Sequence, residues 1–367
     1  MSLLDWFKDK IKHPSRKYIY QPLDPVQVDV PSPITALEAG KHYFRLWLTE
    51  MYLKNDVEWF QEWYPAVHSV ISFQFGSQRV EIPHIAGSLN IQDFKANNLQ
   101  NVVHLNHPMT TLMPFNGGLV EVAAGLLAMK GDNYLNSFIK VMGDFSSLLV
   151  VPQLSAALQI AAPVANGIQT LLGGGADGRL ELGLNQTFSG AGGGGSNDLK
   201  SGYLTVIGAE KTKDNEKGKI NLSKLWVVND SLRYGNSKTD NQPLTGHTYM
   251  LFRIESRVDR DDWSSLSNIS APFGKALEAL GSSEMEKAES FLRTAIVVAL
   301  QSSDLTQADR TRVVKAIKEA FDQAKKDIGL AAIKTEDLSL DKVMLKAIDV
   351  DSALAEPKPS LEEMFAG

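Results

Sequence analysis

The closest pair of histidines in the chain, His104 and His107, is the first place where the sequence could bind a metal ion. Imidazole nitrogens are common zinc ligands, and His84 would be the nearest third ligand. Residues three apart on a regular strand point to opposite faces, so the pair could share one ion only if the chain turns at residues 106–108. We predict no metal and interpret these histidines as hydrogen-bonded side chains at the end of a strand.

A group of three carboxylates, Asp259, Asp261 and Asp262, is a second candidate for a cation site. Hard cations such as calcium prefer clustered oxygen ligands, but this segment lacks the twelve-residue spacing and central glycine of an EF-hand loop. We therefore predict a solvated turn whose last acid starts a helix at Trp263.

Two glycine-rich segments, 173–178 and 190–195, match the pattern G-x-G-x-x-G of dinucleotide-binding loops. That loop needs a strand before it and a helix after it. The first match follows a helical pattern, and the second has the composition of a linker. Neither match continues into Gly-Lys-Ser/Thr, so we predict no nucleotide site and no cofactor.

Nucleophilic chemistry has little support in the sequence. The chain has no cysteine, which excludes thiolate catalysis, disulfides and cysteine-ligated metals. No serine lies in a G-x-S-x-G motif, and the seven histidines cannot be assigned to nucleophiles by spacing. We therefore predict a protein that is not an enzyme and has no small-molecule substrate.

The distribution of charge limits the class of partner. The net charge is −6, and residues 1–20 carry +3 whereas residues 335–367 carry −5. Binding to nucleic acid needs a basic surface, so we predict no nucleic-acid partner. The opposite charges of the two ends could join copies head to tail, or they could keep both ends soluble. The absence of cysteine and of a continuous apolar leader in Met1–Lys12 favours the cytoplasm.

The most unusual feature is a segment of 32 residues, Phe145–Ala176, without a single Asp, Glu, Lys or Arg. On a helical wheel, its polar residues fall on one arc opposite an apolar side. These polar residues are Ser155, Gln159, Asn166, Gln169 and Thr170. A helix face in water normally carries charged residues, so an uncharged face predicts contact with another protein, a second copy or a hydrated lumen. Pro152 and Pro163 predict two short helices or one kinked helix.

The chain ends supply two further candidates for interaction. Near the start, one face of a predicted amphipathic helix combines four apolar residues: Leu3, Leu4, Phe7 and Ile11. This helix could pack on the body of the protein or lie on a membrane surface. At the other end, the motif from Leu361 to Phe365 could be recognised by a partner.

Strand and helix patterns predict an α+β fold. The β-rich body would be sandwich-like and mainly antiparallel, with an inserted apolar helical segment and a C-terminal helical hairpin. We predict an N-terminal helix and proline-rich linker in 1–35, the body in 36–270, the hairpin in 271–330, and a short helix with an acidic mobile tail in 331–367. Within the body, the helical insert would span 134–172 and a flexible glycine-rich loop 173–197.

Local signals sharpen these boundaries. Residues 67–75 alternate as a strand, residues 76–77 turn the chain, and residues 79–82 return, which predicts a β-hairpin. Val26, Val28 and Val30 alternate with polar residues, which predicts a half-buried edge strand. Capping-box patterns at 283–286 and 306–309 predict the starts of the two hairpin helices, and Gly329 is predicted to cap the end of the second.

These observations predict a non-enzymatic binding or assembly protein, one component or adaptor of a bacterial multi-protein complex. Its partner would be another protein or a second copy of the chain. The alternative is a membrane-active effector of the pore-forming type, in which residues 145–172 enter a bilayer after release at the glycine-rich loop. The amides and prolines of this segment oppose insertion unless several copies enclose a wet lumen.

Overall fold

The computed structural model describes residues 4–5, 8–9, 18–30, 34–54, 57–58, 61–62, 64–87, 102–129, 140–141, 144–145, 151–173, 178–191, 197–211 and 219–331. Residue contacts divide the chain into two compact units, Met1–Val258 and Asp259–Gly367. The first unit has two hydrophobic clusters and the second has one of its own. The four-part division predicted from the sequence stays a prediction.

The first unit is built mainly from strands. In chain order they are β1 (Ile19–Pro22), β2 (Tyr43–Tyr52), β3 (Val57–Glu58), β4 (Gln61–Glu62), β5 (Tyr64–Phe75), β6 (Gln78–Gly87), β7 (Val102–Pro108), β8 (Met113–Pro114), β9 (Leu119–Met129), β10 (Gly178–Ser189), β11 (Gly202–Ile207), β12 (Glu210–Lys211), β13 (Lys219–Ile220), β14 (Leu225–Val228), β15 (Ser231–Gly235), β16 (Asn241–Pro243) and β17 (Tyr249–Arg257).

Two large antiparallel sheets organise this unit. The first has the order β1-β11-β17-β2-β7, with β8 also paired to β2, and the second has the order β10-β9-β5-β6. A three-stranded antiparallel sheet, β14-β15-β16, and two short pairs, β3-β4 and the parallel β12-β13, complete the described strands. Together with the helices given below, these sheets confirm the predicted α+β class with mainly antiparallel pairing.

The hairpin of β5 and β6 shows how the sequence sets the register. The two strands are joined by Gly76 and Ser77, and Gly76 has φ +59°, a conformation that glycine adopts without steric cost. Phe75 and Gln78 therefore face each other, and pairing continues to Ala66 and Gly87. This hairpin confirms the prediction made from the alternating residues on either side of the glycine.

Aromatic contacts join the two large sheets. Phe44 of β2 meets Phe73 of β5 edge to face, with ring centroids 5.7 Å apart, and it meets Phe115 at 6.1 Å in the same geometry. All three rings are buried. The main core of the first unit therefore lies between residues of the six-stranded and the four-stranded sheets.

The predicted glycine-rich flexible loop, 173–197, is wrong over residues 178–189, because β10 occupies Gly178–Ser189. This strand pairs with β9 along its whole length and buries Leu182, Leu184 and Phe188. The glycines on either side of the strand gave the segment a linker-like composition, and this composition hid the alternating leucines of the strand.

The predicted edge strand through Val26, Val28 and Val30 is also wrong. Residues Pro25–Gln27 form a short 3-10 helix, and Val26 and Val30 are 70% and 75% exposed. Val28 alone is buried, where it forms an isolated bridge with Val227. The fixed φ of Pro25 suits the first position of a helical turn, and this local preference prevailed over the alternation.

The inserted helical segment contains α1, Leu154–Gly173. It is one helix with Pro163 inside, so two separate short helices are excluded. Most of the preceding predicted helix lies outside the described residues, but 140–141 and 144–145 are helical.

The second unit contains three described helices: α2 (Ser267–Gly281), α3 (Met285–Gln301) and α4 (Gln307–Ala331). Helices α3 and α4 are the two helices that the sequence predicted for the C-terminal hairpin. The prediction missed α2, although Ile269, Phe273 and Leu277 have the four-residue spacing of one helix face. The serines and Pro272 near its start, which are typical of loops, concealed this pattern.

The predicted helix ends in this unit have mixed outcomes. The hydroxyl of Thr306 accepts a hydrogen bond from the Asp309 amide at 3.2 Å, which confirms the cap of α4. The capping box at Ser283 is wrong, because Ser283 adopts φ +60° and α3 begins two residues later without a side-chain cap. Gly329 lies inside α4, so its predicted role as a cap is wrong as well.

Candidate functional site

Helix α1 packs against strand β6 with an apolar stripe. The stripe consists of Leu154, Ala157, Ala161, Val164 and Ile168, all buried in the main core. Their spacing of three and four residues places them on one side of the helix. Small side chains in the middle of the stripe bring the helix backbone close to the sheet.

The opposite side of α1 is exposed and carries no ionisable group. Its exposed residues are Gln159, Ala162, Pro163, Asn166 and Thr170. The prediction placed Gln159, Asn166 and Thr170 on the polar face, whereas Ser155 is half-buried and the side chain of Gln169 lies outside the described part. We call this surface the uncharged face of α1. Its amide and hydroxyl groups can donate and accept hydrogen bonds, but they offer no ion pair.

The ends of α1 also lack charge. The helix has no acidic residue in its first turn and no basic residue in its last turn, so no side chain complements its dipole. At the N-terminal end, the Gln153 amide donates to the Ser155 hydroxyl at 2.7 Å. Near the other end, the Thr170 hydroxyl donates to the Asn166 carbonyl at 2.8 Å. The side-chain amide of Asn166 is exposed and has no hydrogen-bond partner among the described residues.

Gly167 fixes the contact between α1 and the preceding helical residues. A Cβ atom added to Gly167 would lie 2.9 Å from a γ-methyl carbon of Val141. This distance is shorter than normal van der Waals contact, so only glycine fits here without displacement. Helix α1 is therefore closely packed against Val141 at Gly167.

The alternative prediction for this segment, entry into a bilayer, can be tested against the length and apolar character of the helices. Among the residues that the structure describes, no helix combines the length and the apolar character needed to cross a bilayer.

Two of the three histidine candidates, His84 of β6 and His107 of β7, are buried, and His107 is the last residue but one of its strand. The two ring centroids are 5.7 Å apart. Nδ1 of His84 is 2.9 Å from the hydroxyl of Ser69, a pairing that fixes the ring. His104 pairs with Glu50 along the sheet, and its side chain lies outside the described part. In the described ranges, no group of three or more metal-ligating side chains is close enough to hold an ion.

Burial controls the titration of these histidines. It lowers the pKa of His107 to about 4, and it lowers the pKa of His84 well below its usual value with help from the positive charge of His107. The pKa of a third buried histidine, His68, is lowered to about 3. The sequence did not single out His68, because its position beside the others depends on strand pairing between distant residues.

The carboxylates at the start of the second unit are paired with arginines. The buried guanidinium of Arg260 donates to both oxygens of Asp262, at 2.8 and 3.0 Å. Arg312 lies 3.9 Å from Asp261, and it donates to Asp309 at 2.5 Å. Asp261 is largely exposed, as a solvated turn requires, whereas Asp262 and Asp309 are held by charge-assisted hydrogen bonds. A short 3-10 helix begins at Asp261 rather than at Trp263.

The terminal candidates are only partly described. Leu4 is buried in the main core, and Lys8 forms an ion pair with Glu121, which also accepts from Arg79 at 2.6 Å. These contacts place the described N-terminal residues against the four-stranded sheet. The remaining candidates, Leu3, Phe7, Ile11, Leu361 and Phe365, lie outside the described residues.

The glycine-rich matches have the wrong surroundings for a dinucleotide. Segment 173–178 connects the end of α1 to the start of β10, which is helix before strand. Segment 190–195 follows β10, but the next described element is strand β11. Neither order presents a helix N-terminus to a phosphate. Comparisons with protein-family models, with curated proteins and with solved structures found no match to this chain.

Proposed function

We propose that this chain is a non-enzymatic binding or assembly protein that docks a protein partner, or a second copy of itself, through the uncharged face of α1. The observation that carries the proposal is the exposure of Gln159, Ala162, Pro163, Asn166 and Thr170 without an ionisable group among them. Charged residues make up 22% of the chain, so an exposed face without charge over about three helical turns departs from the average composition.

Physical chemistry favours a protein as the occupant of this face. The core of a protein interface is depleted in charge, because each buried charge loses its hydration. Amide and hydroxyl groups lose less on burial and can be satisfied by hydrogen bonds across the contact. At 1.5 Å per residue, the twenty residues of α1 span about 30 Å, so a partner could dock along the side of the helix.

The wider role follows from the same reasoning. We propose a component or adaptor of a bacterial multi-protein complex in the cytoplasm, which fits the absence of cysteine. We also propose a sandwich-like body, for which the Phe44–Phe73 contact between the large sheets is the support. The membrane-active alternative stays a hypothesis that no described feature of α1 favours.

The test compares two variants of the full chain in light scattering and in pull-downs with a tagged protein. Ala162→Lys with Asn166→Glu places charge on the uncharged face, whereas Glu319→Lys changes an exposed residue of α4. We expect the first variant to lose a self-associated or partner-bound species that the wild type and the second variant retain. A wild type that is strictly monomeric and captures nothing would contradict the proposal, as would equal retention by both variants.

A further inference from the structure

Three rings meet between the large sheets of the first unit. His84 lies 5.0 Å from Phe145 and His107 lies 5.7 Å from it, measured between ring centroids, and the two histidines are 5.7 Å apart. All three side chains are buried. We call this group the ring cluster. Since β6 and β7 belong to different sheets, the cluster joins the two sheets to the helical segment that carries Phe145.

The histidines of the ring cluster have few polar partners. His84 uses Nδ1 with Ser69, and its Nε2 has no hydrogen-bond partner among the described residues. Neither ring nitrogen of His107 has a partner of good geometry within the same set, although the backbone of Pro108 is near enough to oppose the lowering of its pKa. A neutral imidazole tolerates this environment far better than an imidazolium ion does, because burial penalises the charged form.

In the described part of the chain, no acidic group affects the titration of the cluster histidines. The groups whose charge affects His84 are His107 and His68, both of which oppose its protonation. Strand β9 places Ala124 and Gly125 opposite Ser69 and His68, and β2 places Leu48 opposite His107. None of the effects that shift the pKa of the three histidines comes from a carboxylate.

The ring cluster is also linked to α1. Val141, four residues before Phe145, packs against Gly167 of α1. On the other side, α1 rests on β6, the strand that carries His84. Both the segment that carries Phe145 and the strand that carries His84 therefore contact α1.

We propose that the ring cluster is an acid-sensitive latch: protonation of His84 and His107 drives the two rings apart, displaces Phe145 and loosens α1 from β6. The latch is closed near neutral pH and opens in mildly acidic solution. It is independent of the partner assigned to the uncharged face of α1.

The direction of the pH effect follows from linkage. An unfolded histidine titrates near 6.5, whereas these buried histidines bind protons only at lower pH, so the open form takes up more protons. Stability is complete above about 6.5 and is lost as the pH falls toward about 4, the pKa of His107. At pH 5 the titration of His107 alone raises the opening constant about 30-fold, and His84 raises it further in the same direction.

Hydrogen exchange of the full chain at pH 7.5 and pH 5.0 tests the latch. After correction for intrinsic rates, we expect peptides covering residues 140–173 to lose at least tenfold protection at pH 5.0. Helices α2–α4 should change less, because residues 259–367 contain no histidine. His107→Leu leaves His84 as the remaining titrating ring of the cluster, so it should lose about 30-fold less protection at pH 5.0 than the wild type. The control His247→Gln, a half-buried histidine elsewhere, should behave as the wild type.

If His107→Leu does not fold, urea unfolding of the wild type between pH 7.5 and pH 5.0 decides the matter. The proposal then requires the unfolded first unit to bind at least two more protons than the folded one at pH 5.0. Unchanged protection over 140–173 at pH 5.0, equal loss in His107→Leu and His247→Gln, or an uptake below two protons would each overturn it.

Discussion

Helices α1 and α4 bury similar stripes and present opposite kinds of surface to solvent. Helix α1 buries Ala161, Val164 and Ile168, and α4 buries Val313 and Ile317 in the same spacing. The outward side of α4 carries both bases and acids, namely Lys315, Lys318, Glu319, Asp322, Lys325 and Lys326, all exposed. The outward side of α1 has none. The apolar stripe holds each helix in place. The difference between the outer faces therefore reflects what each face contacts, and not how each helix folds.

This comparison gives a criterion for identifying an interface. Charged residues on α4 keep that surface hydrated, and pairs such as Lys315 with Glu319, 3.7 Å apart, add little stability at such exposed positions. The uncharged face of α1 has the lower desolvation cost, so it can be covered by a partner more readily. The buried stripes of α1 and α4 should therefore contribute similarly to stability, whereas only the outer face of α1 should bind a partner.

The largest expected effect concerns the buried stripes. Ile168→Ala in α1 and Ile317→Ala in α4 each remove three buried carbons, and each should lower the free energy of unfolding of its own unit by roughly 2–5 kcal/mol. Urea unfolding followed separately in the two units is the measurement, because two units can unfold in two transitions. A loss below about 1 kcal/mol at either site would show that its stripe is not packed as described.

Alanine substitutions at two helical glycines should have smaller effects, and the two effects should have opposite signs. Gly167→Ala in α1 forces a methyl group against Val141 and should cost about 1–3 kcal/mol through overpacking. Gly329→Ala in α4 meets nothing within 4 Å and should stabilise by about 0.5–1 kcal/mol, because alanine is the better helix former. Thermal unfolding of both variants distinguishes them. Stabilisation by Gly167→Ala would contradict the close contact with Val141.

The smallest expected effect is at the start of α4. Thr306→Ala removes the hydroxyl that accepts from the Asp309 amide, and it should destabilise the second unit by about 1 kcal/mol. Thr306→Ser keeps the hydroxyl and serves as the control. Chemical denaturation of both variants is the measurement, and equal stability would mean that the cap contributes nothing.

Sequence patterns predicted the parts of the fold that depend on local spacing. The gap in charge around α1 and the alternation beside Gly76 each identified an element that the structure contains. Strand β10 was missed because the glycines on both sides dominated the composition, and α2 was missed because Pro272 suggested a loop. In these two segments, the burial of apolar residues prevailed over local composition.

The candidate site was predictable to a similar extent. The uncharged polar residues of α1 were visible in the sequence, and the structure adds which of them are exposed. The contact between His84 and His107 was not predictable, because it requires two strands from different sheets to face each other. The pairing of Arg260 with Asp262 follows from the folding of the second unit, whereas Asp309 and Arg312 are three residues apart on α4, a spacing that was visible in the sequence.

Site-specific photo-crosslinking from the two outer faces tests the central claim most directly. A photoreactive residue is placed at Asn166 on the uncharged face of α1, or at Glu319 on α4 as the matched exposed control, and the full chain is irradiated in extract of the cells that produce it. We predict a discrete crosslinked protein, or a crosslinked dimer of this chain, from position 166 and none from position 319. No crosslink from position 166, or the same products from both positions, would contradict the assignment of this face as an interface.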